Sequence, residues 1–262
     1  MNKTTYACLD CGNTRLKWGL WEGTLTGRET EGAWLVRGAL SYENLTRLPS
    51  LLADGPQRPQ HIVVANVAGA EVETRLNYAL AAWSTKPRFL QAGIGAGVKS
   101  DDYDNAQLGV DRWCALIGAR GLYPQRSCLI VSAGTATTVD ALSSDGIFIG
   151  GLILPGVDMM RRALAEQTTH LPLAEGLYEA WPRSTVNAIL SGGIEAVLGA
   201  IERAMRRLSA RDSRARAPIC LLTGGAAPSL LTHLPDARHV EHLELEGVLR
   251  LGRQLETKSE DH

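Results

Sequence analysis

An apolar run through TYACL (5–9) stops at the polar stretch DCGNT, and apolar and polar positions alternate through RLKWGL (15–20). That pattern predicts two strands joined by a turn. Residues 42–54 suit a short helix, and HIVVANVAG (61–69) reads as a buried strand running into a loop. In EVETRLNYALAAW (71–83) the positions Val72, Leu76, Leu80 and Trp83 recur at helical spacing, and PRFLQA follows as a short strand. A glycine-rich loop, GIGAG, comes next. From Asp104 the segment DNAQLGVDRWCALIGARGLY predicts a helix, with Asp104 and Gln107 spaced as a capping box.

The opening pattern then returns. SCLIVSAGTATTVDALSSDG (127–146) is an apolar run, a small-residue turn and a second run ending in Ser-Ser-Asp-Gly. Laid over the first copy, Gly12 falls on Gly134 and Asn13 on Thr135. Two strand–glycine turn–strand units suggest an internal duplication. Its halves would be residues 1–120 and 121–262, with a cleft between them. Beyond the second hairpin, IFIGGLILPGVDMMRRALAEQ predicts strand, Pro-Gly turn and helix. STVNAILSGGIEAVLGAIERAMRRL predicts a helix broken or bent at Ser191-Gly192-Gly193, and APICLLTGGAAPSLL a buried strand and a helix start. HLELEGVLRLGRQL is a final amphipathic helix and TKSEDH a frayed tail. Alternating strands and helices make this an α/β protein with mixed sheets.

Composition narrows the function classes. Among 262 residues, 27 Lys and Arg nearly cancel 28 Asp and Glu, so binding to nucleic acid or a charged membrane surface has no electrostatic basis. The arginine-rich RAMRRLSARDSRARAP (203–218) reads as a solvated helix end and loop. The opening MNKTTYACLD does not resemble a leader, and no run of about twenty uninterrupted apolar residues is found, so a cytoplasmic location is expected. Cys8 and Cys11 form a CxxC, but positions three apart on a strand face opposite ways, and no second pair completes a zinc site. His61, His170, His233, His239, His242 and His262 show no metal spacing.

Several glycine turns follow strands, which is how a chain offers backbone N–H groups to phosphate. GIGAGVKS (93–100) is not one of these devices. Val98 stands where a Walker A loop needs glycine and where GxGxxG needs its third. The stretch from residue 10 has more to offer. Asp10 at a strand end can hold magnesium through water, Gly12, Asn13 and Thr14 can surround phosphate oxygens, and Lys17 supplies a point charge. A plain turn with Asn and Gly in their usual places is the competing reading.

The order and spacing of DCGNTRLKWG (10–19), YDNAQLGVDRW (103–113), SAGTATTVD (132–140), GGLILPG (150–156), STVNAILSG (184–192) and TGG (223–225) resemble type III pantothenate kinases over nearly the whole chain. That family belongs to the actin-like ATPase and sugar-kinase superfamily. The resemblance implies a duplicated ribonuclease H-like fold and ATP-dependent phosphorylation of pantothenate, the first step toward coenzyme A. It places Asp10, Cys11, Gly12, Asn13, Thr14, Arg15, Leu16 and Lys17 around the ATP phosphates, with Thr135 touching ATP and Gly224 and Gly225 near the adenosine. Asp111 becomes the general base, kept ionised by the dipole of the helix it begins. Tyr103, Gly109, Val110, Arg112 and Thr185 become pantothenate contacts, Thr185 doubling as a helix N-cap. Magnesium, a monovalent cation (ammonium or potassium) and a homodimer are implied as well. Ser132 stands where relatives commonly carry an aspartate that helps hold the monovalent cation, and Ala106 where many have proline. Bvg accessory factors share these motifs, so a non-catalytic regulator on the same fold stays open, as does a phosphatase or a kinase of another hydroxy acid.

Overall fold

The computed structural model describes residues 3–26, 29–55, 58–93, 95–100, 103–211 and 216–260. His262, residues 212–215 of the arginine-rich stretch, Ile94 of GIGAG and the acidic pair at 101–102 lie outside them. The chain divides into two compact units. One comprises Met1–Ser100, Asp104–Leu122 and His242–His262, and the other Asp101–Tyr103 and Tyr123–Glu241. The halves expected from sequence assigned the last helix to the second unit, whereas it packs in the first.

In the first unit, β1 (Thr4–Cys11) is buried from Thr5 onward. Elements cover both of its faces, which explains its almost unbroken apolar run. β2 (Arg15–Thr26) and β3 (Glu29–Ser41) continue from β1 as an antiparallel meander, while β4 (His61–Asn66) and β5 (Pro87–Phe89) run parallel on its other side, giving the order β3-β2-β1-β4-β5. β3 has no counterpart among the expected elements. Gly32 and Gly38 occupy positions where a Cβ would press on the rings of Trp21 and Trp18, so glycines interrupt the alternation that normally announces a strand. Ala7, Leu9 and Cys11 face a core shared with α1 (Leu48–Ala53) and α2 (Ala70–Ala79). α2 stops at Ala79; Leu80 and Trp83 reach the same core from the turns that follow it.

After the two-residue strand β6 (Lys99–Ser100), the helix expected from Asp104 begins only at Val110, as α3 (Val110–Leu122). Asp104 closes a turn instead: its Oδ1 accepts the N–H of Ala106 at 3.0 Å and its Oδ2 the side-chain amide of Gln107 at 2.8 Å. α3 packs against α7 (Leu243–Glu260) with backbones almost touching. A Cβ on Gly118 would strike the carbonyl of Leu243, and one on Gly247 the carbonyl of Cys114. α7 is helical through Glu260, so much of the expected frayed tail is ordered helix.

The second unit repeats the plan. β7 (Cys128–Ala133), β8 (Ala136–Leu142) and β9 (Ile147–Pro155) form an antiparallel meander; β10 (Ile219–Thr223) and β11 (Arg238–His239) run parallel on the other side of β7. These five strands lie in the order β11-β10-β7-β8-β9, the first sheet's arrangement strand for strand. The faces match too: Leu129, Val131 and Ala133 point into the core, as Ala7, Leu9 and Cys11 do. The helices of this unit are α4 (Val157–Gln167), α5 (Thr185–Arg211) and α6 (Ala227–Leu231). α5 runs unbroken through Ser191-Gly192-Gly193. Gly193 packs on Val157, and Ser191 is buried with its hydroxyl accepting the N–H of Glu179 at 3.0 Å. By length and hydropathy alone α5 matches a membrane span, but Ile194, Val197, Leu198, Ile201 and Leu208 form a stripe in this unit's core.

Candidate active site

In each unit, the first strand of the sheet ends in a glycine turn. Gly12 donates its N–H to the carbonyl of Arg15 at 3.2 Å, and Gly134 to that of Ala136 at 3.0 Å, so both turns are closed by the carbonyl of the next strand's first residue. Asn13, Thr14 and Arg15 are exposed at the first tip, which Tyr42 braces by donating its hydroxyl to the Gly12 carbonyl at 2.5 Å. The side chains of Cys11 and Leu16 belong to the apolar core, so these two residues offer a ligand only backbone.

Directly behind the first tip is a row of three side chains on adjacent strands, Lys17, Asp10 and Ala65. This row lies on the face opposite the apolar core. Asp10 is only 2% exposed. Its Oδ2 accepts from Lys17 Nζ at 3.2 Å, and its Oδ1 has no hydrogen-bond partner among the described residues. Lys17 makes a second ion pair, at 3.1 Å, with Oε1 of Glu244, which is buried in the first turn of α7. Burial lowers the ammonium's pKa, but the flanking carboxylates of Glu244 and Asp10 outweigh it and raise the net value, so Lys17 stays charged. Burial pushes the Asp10 carboxyl up to about 7; Lys17 opposes this, and the negative charges of Glu244 and Asp111 reinforce it. An unsatisfied, buried carboxylate oxygen beside a glycine turn is costly unless a ligand completes it, which fits a cation held there through its water shell.

Asp111 sits in the first turn of α3, where its Oδ1 accepts the N–H of Arg112 at 2.8 Å. Gly109 makes room for it, since a Cβ there would come within 2.5 Å of the same oxygen. The helix terminus alone was expected to keep this carboxyl ionised. Burial instead raises its pKa; the Arg112 N–H opposes that, Glu244 adds to it, and Arg112 and Lys17 oppose it through their charges. Val110 and Arg112 are buried alongside. Glu244 went unnoticed in the sequence because its role depends on a contact with Lys17 more than two hundred residues away in the chain, and nothing local marks it.

In the second unit the equivalent row is Thr138, Ser132 and Thr223, hydroxyls in place of the charged Lys17–Asp10 pair. The tip at Gly134 and Thr135 is wedged between two glycines. Gly156 donates its N–H to the carbonyl of Thr135 at 2.9 Å, and a Cβ on it would lie 2.6 Å from that oxygen. Gly224 has φ +93° and abuts Ala133, whose backbone N would lie 2.9 Å from any Cβ placed there. Thr135 and the Gly224-Gly225 turn therefore converge on one corner. Tyr103 packs on Phe148, ring centroids 5.0 Å apart. Thr185 is exposed at the start of α5, but the cap is Ser184, whose Oγ accepts the N–H of Asn187 at 3.3 Å.

The cysteines do no visible chemistry. All five are buried and free, and Cys8 and Cys11 face opposite sides of β1. Burial holds the Cys11 thiol up at about 12. Among the described residues no cluster of His, Cys, Asp and Glu has the makings of a direct metal site.

Two solved structures share the fold. A Campylobacter jejuni protein described as a conserved Baf family transcriptional activator matches with a TM-score of 0.63 over 96% of this chain and 99% of its own, at 18% identity. A Sinorhizobium meliloti protein described as a 2-dehydro-3-deoxygalactonokinase matches with a TM-score of 0.56 over 95% and 99%, at 16% identity. With the strand-for-strand repeat, they define the class by its fold: a duplicated ribonuclease H-like α/β protein with two similar mixed sheets. Sequence narrows this further. The family model for type III pantothenate kinases matches residues 7–207. The type III pantothenate kinases of Dechloromonas aromatica and Aromatoleum aromaticum are 43% and 45% identical over 93% and 94% of this chain, and over 97% of each relative. The chain belongs to the type III pantothenate kinase family.

Proposed function

We propose that this protein transfers the γ-phosphoryl group of ATP to the primary hydroxyl of pantothenate, giving 4′-phosphopantothenate and ADP at the start of coenzyme A synthesis, with Asp111 as the general base. The single observation that carries the base assignment is Asp111 itself: a half-buried carboxylate whose Oδ1 is fixed by a backbone N–H, leaving Oδ2 to act. As the hydroxyl oxygen of pantothenate attacks the γ-phosphorus, Oδ2 takes its proton and the bond to the ADP oxygen breaks. Gly109, Val110 and Arg112 shape the substrate side, Arg112 through its forked cationic donors, and Tyr103 and Thr185 add further contacts. The exposed tip at Gly12, Asn13, Thr14 and Arg15 and the backbone at Cys11 and Leu16 receive the phosphates, with Thr135, Gly224 and Gly225 on the nucleotide. Asp10 Oδ1 would hold magnesium through water, and the ion would neutralise phosphate charge. The Ser132 row suits a weakly held monovalent cation.

Five reduced cysteines fit a cytoplasmic enzyme. The second unit exposes Ile153, Leu173, Leu177 and Trp181, the last 90% accessible, and a second copy of the chain is the partner we assign to them. A dimer in analytical ultracentrifugation supports that, and a monomer overturns it.

Purified protein with ATP and magnesium should release ADP only when pantothenate is added, and faster with potassium or ammonium than with neither. Pantothenate-independent release, or none under any cation, defeats the kinase reading. The pH profile follows from the same carboxyls. A base must be ionised to accept a proton, and Asp111 and Asp10 both bind protons more tightly than ordinary carboxyls. Lowering the pH should therefore cost kcat/KM well before the usual carboxylate range is reached, with a plateau only on the alkaline side of neutrality. A profile flat from pH 8 down to pH 5 contradicts this.

A further inference from the structure

We infer that Glu244 is a positioning residue for nucleotide binding, acting through Lys17; this rests on the kinase reading above. Glu244 is 3% exposed and pairs its Oε1 with Lys17 Nζ at 3.1 Å, while the same ammonium pairs with Asp10 Oδ2 at 3.2 Å. Lys17 is thus held between a strand carboxylate and a helix carboxylate, with its side chain 22% exposed. An ammonium has three donors and no fixed plane, so it settles wherever negative charge is densest. With Glu244 drawing on it from α7, Lys17 engages only one oxygen of Asp10 and leaves Oδ1 without a partner among the described residues. With that pull removed, the nearest place for the ammonium is a two-oxygen grip on Asp10. Such a grip would cancel Asp10's charge, occupy Oδ1 and turn the lysine away from incoming phosphates.

Buried ion pairs generally add little stability, and one that forms a triad beside a ligand turn is better explained by what it holds in place. The corresponding row of the second unit supports this view, because it carries hydroxyls and no ion pair although the strand geometry is the same. Glu244 approaches from α7, whose place is fixed independently by the backbone contact between Gly247 and Cys114. The residue therefore acts from a rigid support rather than from a loop.

A double-mutant cycle on the full-length protein tests the inference. Binding of a non-hydrolysable ATP analogue is measured by calorimetry, with and without magnesium, in wild type, Glu244→Gln, Lys17→Met and the double variant. Glu244→Gln should weaken analogue binding about tenfold with magnesium present and much less without it. The KM for ATP should rise while the KM for pantothenate stays put. In the Lys17→Met background the same substitution should change nothing further. An equal effect in both backgrounds, or unchanged binding in Glu244→Gln, overturns the proposal. If Glu244→Gln does not fold, Glu244→Asp carries the cycle: it keeps the charge but shortens the reach, and again its effect on binding must vanish without Lys17.

Discussion

Asp111→Asn should bind ATP as well as the wild type and turn over about 10²–10⁴-fold more slowly. Asparagine is nearly isosteric with aspartate and keeps a carbonyl oxygen to accept the Arg112 N–H, so the start of α3 and the cradle at Gly109 have no reason to move. The variant loses basicity alone. The nucleotide side should even gain slightly, because the Asp111 charge is one of the influences raising the pKa of Asp10. Removing it favours the ionised Asp10 carboxylate that the proposed magnesium site requires. Single-turnover kinetics with equilibrium binding of an ATP analogue separate the two effects. Normal turnover in Asp111→Asn removes this residue from the chemistry, whereas parallel losses of binding and turnover would make its role structural.

How much of this was legible in the sequence depends on whether the signal is local. Gly12 and Gly134 stood out because a tight turn must be written in the few residues that make it, and Asp111 because it lies inside a compact motif. The repeated sheet was half visible: β1–β2 and β7–β8 each show an apolar strand, a glycine turn and a second strand, while β3 hides behind Gly32 and Gly38, which exist to admit tryptophan rings from the neighbouring strand. The supposed capping box at Asp104 and Gln107 shows the opposite error. The spacing is right and the side chains do meet, but Gly109 intervenes and helix geometry starts at Val110. Likewise Ser191-Gly192-Gly193 looked like a break only because its neighbours were unknown. In place, glycine lets α4 approach closely, and the serine hydroxyl satisfies a backbone amide from an adjoining segment. Glu244 is the limiting case, a residue whose meaning lies entirely in a long-range contact.

That contact depends on α7 lying flush against α3, which leads to the largest stability effect we expect. Gly247→Ala should cost about 3 kcal/mol. The added methyl would be driven into the Cys114 carbonyl and would stand 2.7 Å from the Cys114 Cα, so only movement of a whole helix relieves it. Backbone cannot change rotamer, so the strain that a flexible side chain would absorb here goes into the helix pair. The melting temperature should fall by roughly 6–12 °C for a domain of this size. Gly199→Ala in α5 is the control, since a Cβ there meets nothing within 4 Å. It should leave the protein as stable as wild type or raise stability by up to about 1 kcal/mol, because alanine restricts the unfolded chain and favours helix. The two substitutions are chemically identical and differ only in what faces the new methyl, so opposite signs in thermal melts isolate the α3–α7 contact. Should Gly247→Ala melt like Gly199→Ala, α7 does not lie where it must for Glu244 to reach Lys17.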